Sequence, residues 1–255
     1  MHALITNDDG IDSAGLCALA VAARDAGYDV TVAAPAEEAS GSSASITASE
    51  ADAVTAAGGH GRIRVTATQL PDLDVPAFRV YAAPALIALI AAHSAFGPAP
   101  DLVLSGINRG ANVGRAILHS GTVGAALTGG VNGARGLAVS LAVAHSRARA
   151  HWQTAADVSA RVFTVLEALE PGTVLNLNVP NLPHADGIDL VEAPLAAFGI
   201  VQTTMTEAHD EHIALSIADP PDRFEPGTDA AQLAAGAATI TSIRSVMQSD
   251  VPVFS

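Results

Sequence analysis

With 255 residues, 49% of them hydrophobic and only 4% aromatic, the chain is long enough for one α/β domain with a sizeable core, or at most two domains. Its formal net charge of −14 repels a nucleic-acid polymer. All 12 basic residues are Arg and none is Lys, which excludes a P-loop lysine, a Schiff-base lysine and a lysine base. The lone cysteine, Cys17, excludes a disulfide framework and a thiolate zinc cage.

In chain order, ALIT (3–6) reads as a strand, 14–26 as a helix stopped by Gly27, and DVTVAAP (29–35) as a second strand ended by proline. RIRVTA (62–67) and FRVYA (78–82) read as further strands, 84–95 as a helix, and DLVLSG (101–106) as a buried strand. A helix is expected from Thr122, a strand over 136–142, a long amphipathic helix over 151–169, and a strand over 174–180. This alternation predicts a doubly wound, Rossmann-like α/β fold with a mostly parallel sheet over residues 1–180. Residues 181–255 lose the strict alternation and read as a β-rich C-terminal extension with a hairpin across 200–217. The first apolar run is too short for a targeting signal, and VYAAPALIALIAAH is broken by Pro84 and shorter than the roughly 18 residues of a membrane span, so a cytoplasmic protein without membrane contact is expected.

Ligands of open α/β sheets bind beyond the carboxyl ends of the strands. After the first strand stands TNDDG, with Asp8 and Asp9 adjacent. Two carboxylates converging within about 4 Å repel by about 4 kcal/mol at an effective dielectric near 20, a sign that a divalent cation reverses. From the dipeptide alone, capping of the following helix is the simpler reading. The setting is richer: a hydroxyl-bearing loop (Ser40 to Ser45) follows the second strand, and INRGANVG, with Asn108 and Asn112 among glycines, follows DLVLSG. Carboxylate, amide and hydroxyl oxygens suit hard Mg²⁺, Mn²⁺ or Ca²⁺ rather than Zn²⁺. Ser120, Gly121 and Thr122 stand where a helix begins, so free N–H groups and the positive end of the helix dipole make an anion pocket, with a plain N-cap as the alternative for Ser120.

The order and spacing of NDDG, the SGxxxS stretch in the second loop, PDLVLSGINRGANVG and SGTVGAAL resemble the SurE family of survival-protein nucleotidases. The resemblance runs from residue 3 to about 180 and resumes at PGTD (226–229). It implies a phosphomonoesterase acting on nucleoside 5′- or 3′-monophosphates. It further implies one divalent metal ion per subunit, Mg²⁺ or Mn²⁺ with Ca²⁺ able to fill the site, held by Asp8, Asp9, Ser40 and Asn108, with Asp8 and Asp9 serving catalysis. Asn112, Ser120, Gly121 and Thr122 are implied to hold the substrate phosphate, and the C-terminal arm to exchange between subunits of a homodimer or homotetramer. The contiguous aspartates favour attack by water, because aspartyl-phosphate enzymes usually space the two as D-x-D.

The sequence departs from the family where GTPxD is replaced by AAPAL, residues Ala82, Ala83, Pro84, Ala85 and Leu86. That segment bears on substrate choice and keeps open a binding module for nucleotides or phosphosugars that has lost turnover. A purely structural oligomer is harder to square with a full ligand set. His119 is read as covering the rim, and His209 and His212 in HDEH as part of a solvated hairpin.

Overall fold

The computed structural model describes residues 1–48, 62–144, 148–197, 202–209, 212–218 and 224–248. Among these residues nine strands form one sheet in the order β3-β4-β2-β1-β5-β6-β7-β11-β8. Its parallel centre is β1 (His2–Thr6), β2 (Asp29–Pro35), β5 (Leu102–Arg109), β6 (Arg135–Ala142) and β7 (Val174–Pro180). On one flank β4 (Leu73–Val80) joins β2 in parallel and carries β3 (Val65–Leu70) as an antiparallel edge. The other flank ends with β11 (Ala238–Ile243), antiparallel to β7, and β8 (Leu190–Glu192), parallel to β11. Helices α1 (Ala14–Asp25) and α4 (Trp152–Ala168) cover one face, and α2 (Pro84–Ala92) and α3 (Gly121–Val131) the other. The short α5 (Asp229–Ala234) precedes β11.

A strand buried on both faces sends alternate side chains to opposite layers. In β1, Ile5 joins Leu16, Leu19 and Phe163 of the α1–α4 layer, while Leu4 joins Ile87, Ala88 and Ala125 of the α2–α3 layer. In β5, Leu102 and Leu104 face the first layer and Val103 the second. The chain runs outward from β1 through β2 and β4, then returns to β5 on the opposite side of β1. A topological switch point therefore lies between the carboxyl ends of β1 and β5, where ligands collect in such sheets.

The doubly wound fold matches expectation, with shifted boundaries at four elements. The third and fourth strands pair as a hairpin over 65–70 and 73–80, turned through Asp72 at φ +57°. Pro76 does not break β4, because pairing to β2 begins only at Ala77 and the register slips opposite it between Thr68 and Leu70. Strand β5 runs on to Arg109, three residues past the reading to Gly106, through a bulge between Ser105 and Asn108. Gly106 serves that bulge at φ +144°, where a Cβ would lie 2.4 Å from the Val139 carbonyl oxygen. Helix α2 stops at Ala92 rather than 95, and Ser94 beyond it has φ +63°.

Past residue 180, β8 and β11 add to the main sheet, while β9 (Gln202–His209) and β10 (His212–Ala218) form the expected hairpin as a separate two-stranded sheet. The side chains of the HDEH stretch lie outside the described residues. Among the described residues no helix is long and apolar enough to cross a membrane.

Candidate active site

The loop after β1 is closed by Asn7, which is wholly buried. Its side-chain amide donates to the Gly10 carbonyl (3.1 Å) and to Ser13 Oγ (2.7 Å), and its oxygen accepts from the Gly10 N–H (3.2 Å). Ser13 in turn caps α1 by accepting from the Leu16 N–H. Asn7 is thus spent on the turn, which leaves Asp8 and Asp9 projected between the neighbouring loops.

Asp8 is 4% exposed. Its carbonyl accepts from the Ala39 N–H (2.7 Å), which ties in the loop after β2, and its Oδ1 accepts from the Thr122 hydroxyl at the start of α3. Asp9 is half-buried and accepts on Oδ2 from the Arg109 N–H (3.2 Å), which ties in the loop after β5. Burial pushes the Asp8 carboxyl above its usual range, with the Thr122 hydroxyl and the N–H groups of Thr122 and Gly121 pulling the other way. Asp9 is pushed up to about 6, by burial first and by the Asp8 charge second, against the Arg109 N–H. These two carboxylates are held together where neither charge is well solvated.

The remaining oxygens are neutral. Asn108 donates its amide N–H to the Gly110 carbonyl (2.9 Å), which leaves its Oδ1 for another partner. Ser40 is exposed and donates to the Glu38 carboxylate (2.7 Å). A cleft of about 650 Å³ at the switch point is lined by Asp8, Asp9, Ser40, Asn108, Asn112 and Ser120, together with Glu38, Arg109 and His119. Among the described residues there is no group of three or more His, Cys, Asp or Glu side chains placed to hold a metal. Two adjacent carboxylates raised in pKa, Asp8 by burial and Asp9 by burial and the Asp8 charge, beside neutral amide and hydroxyl oxygens, fit a hard divalent cation.

Ser120 caps α3, its Oγ accepting from the Val123 N–H (3.1 Å), and its hydroxyl proton stays available to an acceptor in the cleft. Gly121 and Thr122 lie behind that lining. A Cβ on Gly121 would fall 2.9 Å from Asp8 Oδ2 and 2.5 Å from Ser42 Oγ, so only glycine lets α3 begin this close to the β1 loop. The Ser42 hydroxyl is itself buried with no hydrogen-bond partner.

Asn112 is clamped. Its N–H donates to Asn178 Oδ1 (2.8 Å), its carbonyl accepts from Asn176 and Asn178, and its side-chain amide donates to Ser140 Oγ (2.8 Å). The sequence reading did not single out Asn176 and Asn178, although VLNLNVP carries the signal. Two asparagines at alternate positions of an apolar strand share one face and need buried partners. Glu38 was also not singled out, and Asp229 entered only as the last residue of PGTD, with no role given. Asp229 is wholly buried and accepts from the N–H groups of Gly114, Ala196 and Ala230, each at 2.8 Å.

The altered AAPAL segment starts α2. Ala83 occupies the N-cap position with no side-chain hydrogen bond, and Ala82 and Ala83 line a pocket of about 210 Å³ that shares Glu38 with the cleft.

A family model described as Survival protein SurE matches residues 3–209. A protein from Gloeobacter violaceus named 5'-nucleotidase SurE is 37% identical over 189 residues, 73% of this chain and 66% of that protein. One of the same name from Desulforudis audaxviator is 37% identical over 206 residues, 74% of this chain and 75% of that protein. The crystal structure of SurE protein from Aquifex aeolicus superposes with a TM-score of 0.71 at 27% identity, covering 96% of this chain and 93% of that one. The matched region spans just under two thirds of the Gloeobacter protein and of a Stenotrophomonas maltophilia relative. Because the match runs through each of the strand-end loops that enclose the cleft, the chain belongs to the SurE family.

Proposed function

We propose that this protein hydrolyses phosphomonoesters, nucleoside 5′- or 3′-monophosphates foremost, with one Mg²⁺ or Mn²⁺ per subunit. The observation that carries the reading is the convergence of Asp8 and Asp9 with Asn108, Asn112 and the start of α3 in one cleft at the switch point. The curated relatives bearing the name 5'-nucleotidase SurE support it.

In this reading Asp8, Asp9, Ser40 and Asn108 hold the cation, which supplies charge neutralisation and Lewis acidity toward the phosphoryl group. Ser120 donates its hydroxyl proton to a phosphoryl oxygen, Asn112 stands beside the same group in the cleft lining, and the positive end of the α3 dipole at Gly121 and Thr122 acts on it through the backbone alone, the Thr122 hydroxyl being given to Asp8. Both aspartates already accept hydrogen bonds, Asp8 from Thr122 and Asp9 from Arg109, which suits them to holding rather than attacking. A water oxygen therefore bonds to phosphorus as the ester P–O bond breaks. The proton that the attacking water gives up is taken up by the leaving alkoxide, and inorganic phosphate and a nucleoside depart.

The hairpin of β9 and β10 is the proposed oligomerisation arm of a homodimer or homotetramer. Among the described residues it is not hydrogen-bonded to the main sheet, and a lone two-stranded ribbon is marginal in water without a surface to pack on.

The test is phosphate release from nucleoside 5′- and 3′-monophosphates and p-nitrophenyl phosphate with Mn²⁺, with Mg²⁺ and with EDTA. Metal-dependent release is expected, and its ranking across the panel reads what Ala82 and Ala83 do to selectivity. No release from any ester despite measurable Mn²⁺ binding contradicts the proposal.

A further inference from the structure

We infer that Thr122 is a positioning residue for Asp8: its hydroxyl fixes the carboxylate that takes the cation and does not itself meet the substrate phosphate. The inference rests on the reading of the cleft as a metal-dependent phosphatase site.

Three observations carry it. Thr122 is wholly buried, and it is absent from the cleft lining to which Asp8, Asp9 and Ser120 contribute. Its hydroxyl has one proton to give and gives it to Asp8 Oδ1. On the other side, Gly121 leaves room for Asp8 Oδ2, since a Cβ at that position would lie 2.9 Å from it. The carboxylate is therefore held from α3, by the Thr122 hydroxyl on Oδ1 and by the neighbouring N–H groups of Gly121 and Thr122, while Asp8 still lines the cleft.

Residue type and position agree with this role. Thr122 is the second residue of α3, where Ser120 already caps the Val123 N–H, so the Thr122 hydroxyl is not needed to end the helix. A β-branched side chain is stiff at χ1, which makes its hydroxyl a fixed rather than a swinging donor. A carboxylate in a metal site is commonly held by such an outer partner, and loss of that partner typically costs 10–100-fold in metal affinity or activity. Serine at 122 keeps the donor, valine keeps the shape and loses it, and alanine loses it without pressing a second methyl on Asp8.

The test is calorimetric titration of Mn²⁺ into the substrate-free protein and into Thr122→Val, Thr122→Ala and Thr122→Ser, followed by kinetics at saturating Mn²⁺. Val and Ala are expected to weaken Mn²⁺ binding by about 10–100-fold and Ser by no more than about 3-fold. Once Mn²⁺ is saturating, KM for the nucleotide should stay within about 2-fold of the unsubstituted protein, since the hydroxyl gives no binding to the phosphate. Unchanged Mn²⁺ affinity in Val and Ala with a raised KM overturns the inference and assigns the hydroxyl to the phosphate. Reading Val and Ala in parallel keeps a folding defect in one from deciding the result. Failure of the underlying reading shows separately, as an unsubstituted protein that binds Mn²⁺ and releases no phosphate.

Discussion

Asp8 and Asp9 are adjacent acidic groups that water reaches poorly, Asp8 buried and Asp9 half-buried. Asp9, lifted to about 6 from an ordinary value of 3.8, binds its proton more tightly in the folded than in the unfolded chain. Between those two values the folded state holds more protons, so stability from this group falls as pH rises from about 4 to about 6. Metal-free Asp9→Asn lacks that loss. It should be more stable than the unsubstituted protein at pH 7, by something on the order of 2 kcal/mol, with the gap closing toward pH 4. Urea denaturation of both at the two pH values checks this, and a gap independent of pH contradicts it. Cation binding needs the deprotonated pair, so added Mn²⁺ should raise the melting temperature more at pH 7 than at pH 5. Adjacent acids at a strand end were legible in the sequence because they are neighbours in it. The Thr122 hydroxyl on Asp8 was not, since the two are separated by 114 positions and no local pattern encodes their meeting.

The elements that matter most to the cleft are the 3₁₀ turn Gly114–His119 and the helix it delivers, α3. That turn is held from outside by Asp229, 115 positions from Gly114, whose carboxylate accepts from the Gly114 and Ala196 N–H groups and so joins the two. Asp229→Ala leaves the N–H groups of Gly114, Ala196 and Ala230 unpaired at about 1–3 kcal/mol each, so a total loss of at least about 3 kcal/mol is expected by urea denaturation. Asp229→Asn retains one acceptor oxygen and should lose less. Loosening the turn should also lower kcat/KM through misplacement of Ser120 rather than through the cation, so Mn²⁺ affinity should hold. A fully stable Asp229→Ala protein contradicts the brace. Strands β1, β2, β6 and β7 were readable because burial on both faces leaves near-continuous apolar runs. Strands β3 and β4 were misplaced by a few residues because an exposed edge strand and an internal proline weaken that signal.

At the scale of the whole molecule, the sheet reverses direction of growth at β1 and β5, and the cleft lies at that reversal. The fold class was legible from alternation alone, and the cleft from the loops that such a sheet brings together. The fate of residues past 180 was less so. Short strands β8 and β11 complete the main sheet by pairing with β7 and each other, which depends on a partner far back in the chain rather than on their own pattern. The separate hairpin is the remaining element without a sheet to join. If the proposed homo-oligomer forms through this hairpin, replacing residues 202–218 by a short Gly-Ser linker should lower the mass measured by light scattering while the α/β core keeps its far-ultraviolet circular dichroism. An unchanged mass rules out the hairpin as the assembly arm.

The most direct test of the central claim is a Mn²⁺ titration followed in two ways, by calorimetry and by phosphate release from a nucleoside monophosphate, on the unsubstituted protein and Asp8→Asn. The account predicts that the Mn²⁺ concentration for half-maximal release matches the calorimetric Kd. It also predicts that Asp8→Asn loses Mn²⁺ binding and at least about 10³-fold in rate, the several kcal/mol a catalytic cation supplies. Phosphate release that persists in EDTA, or in Asp8→Asn at an unchanged rate, would contradict it.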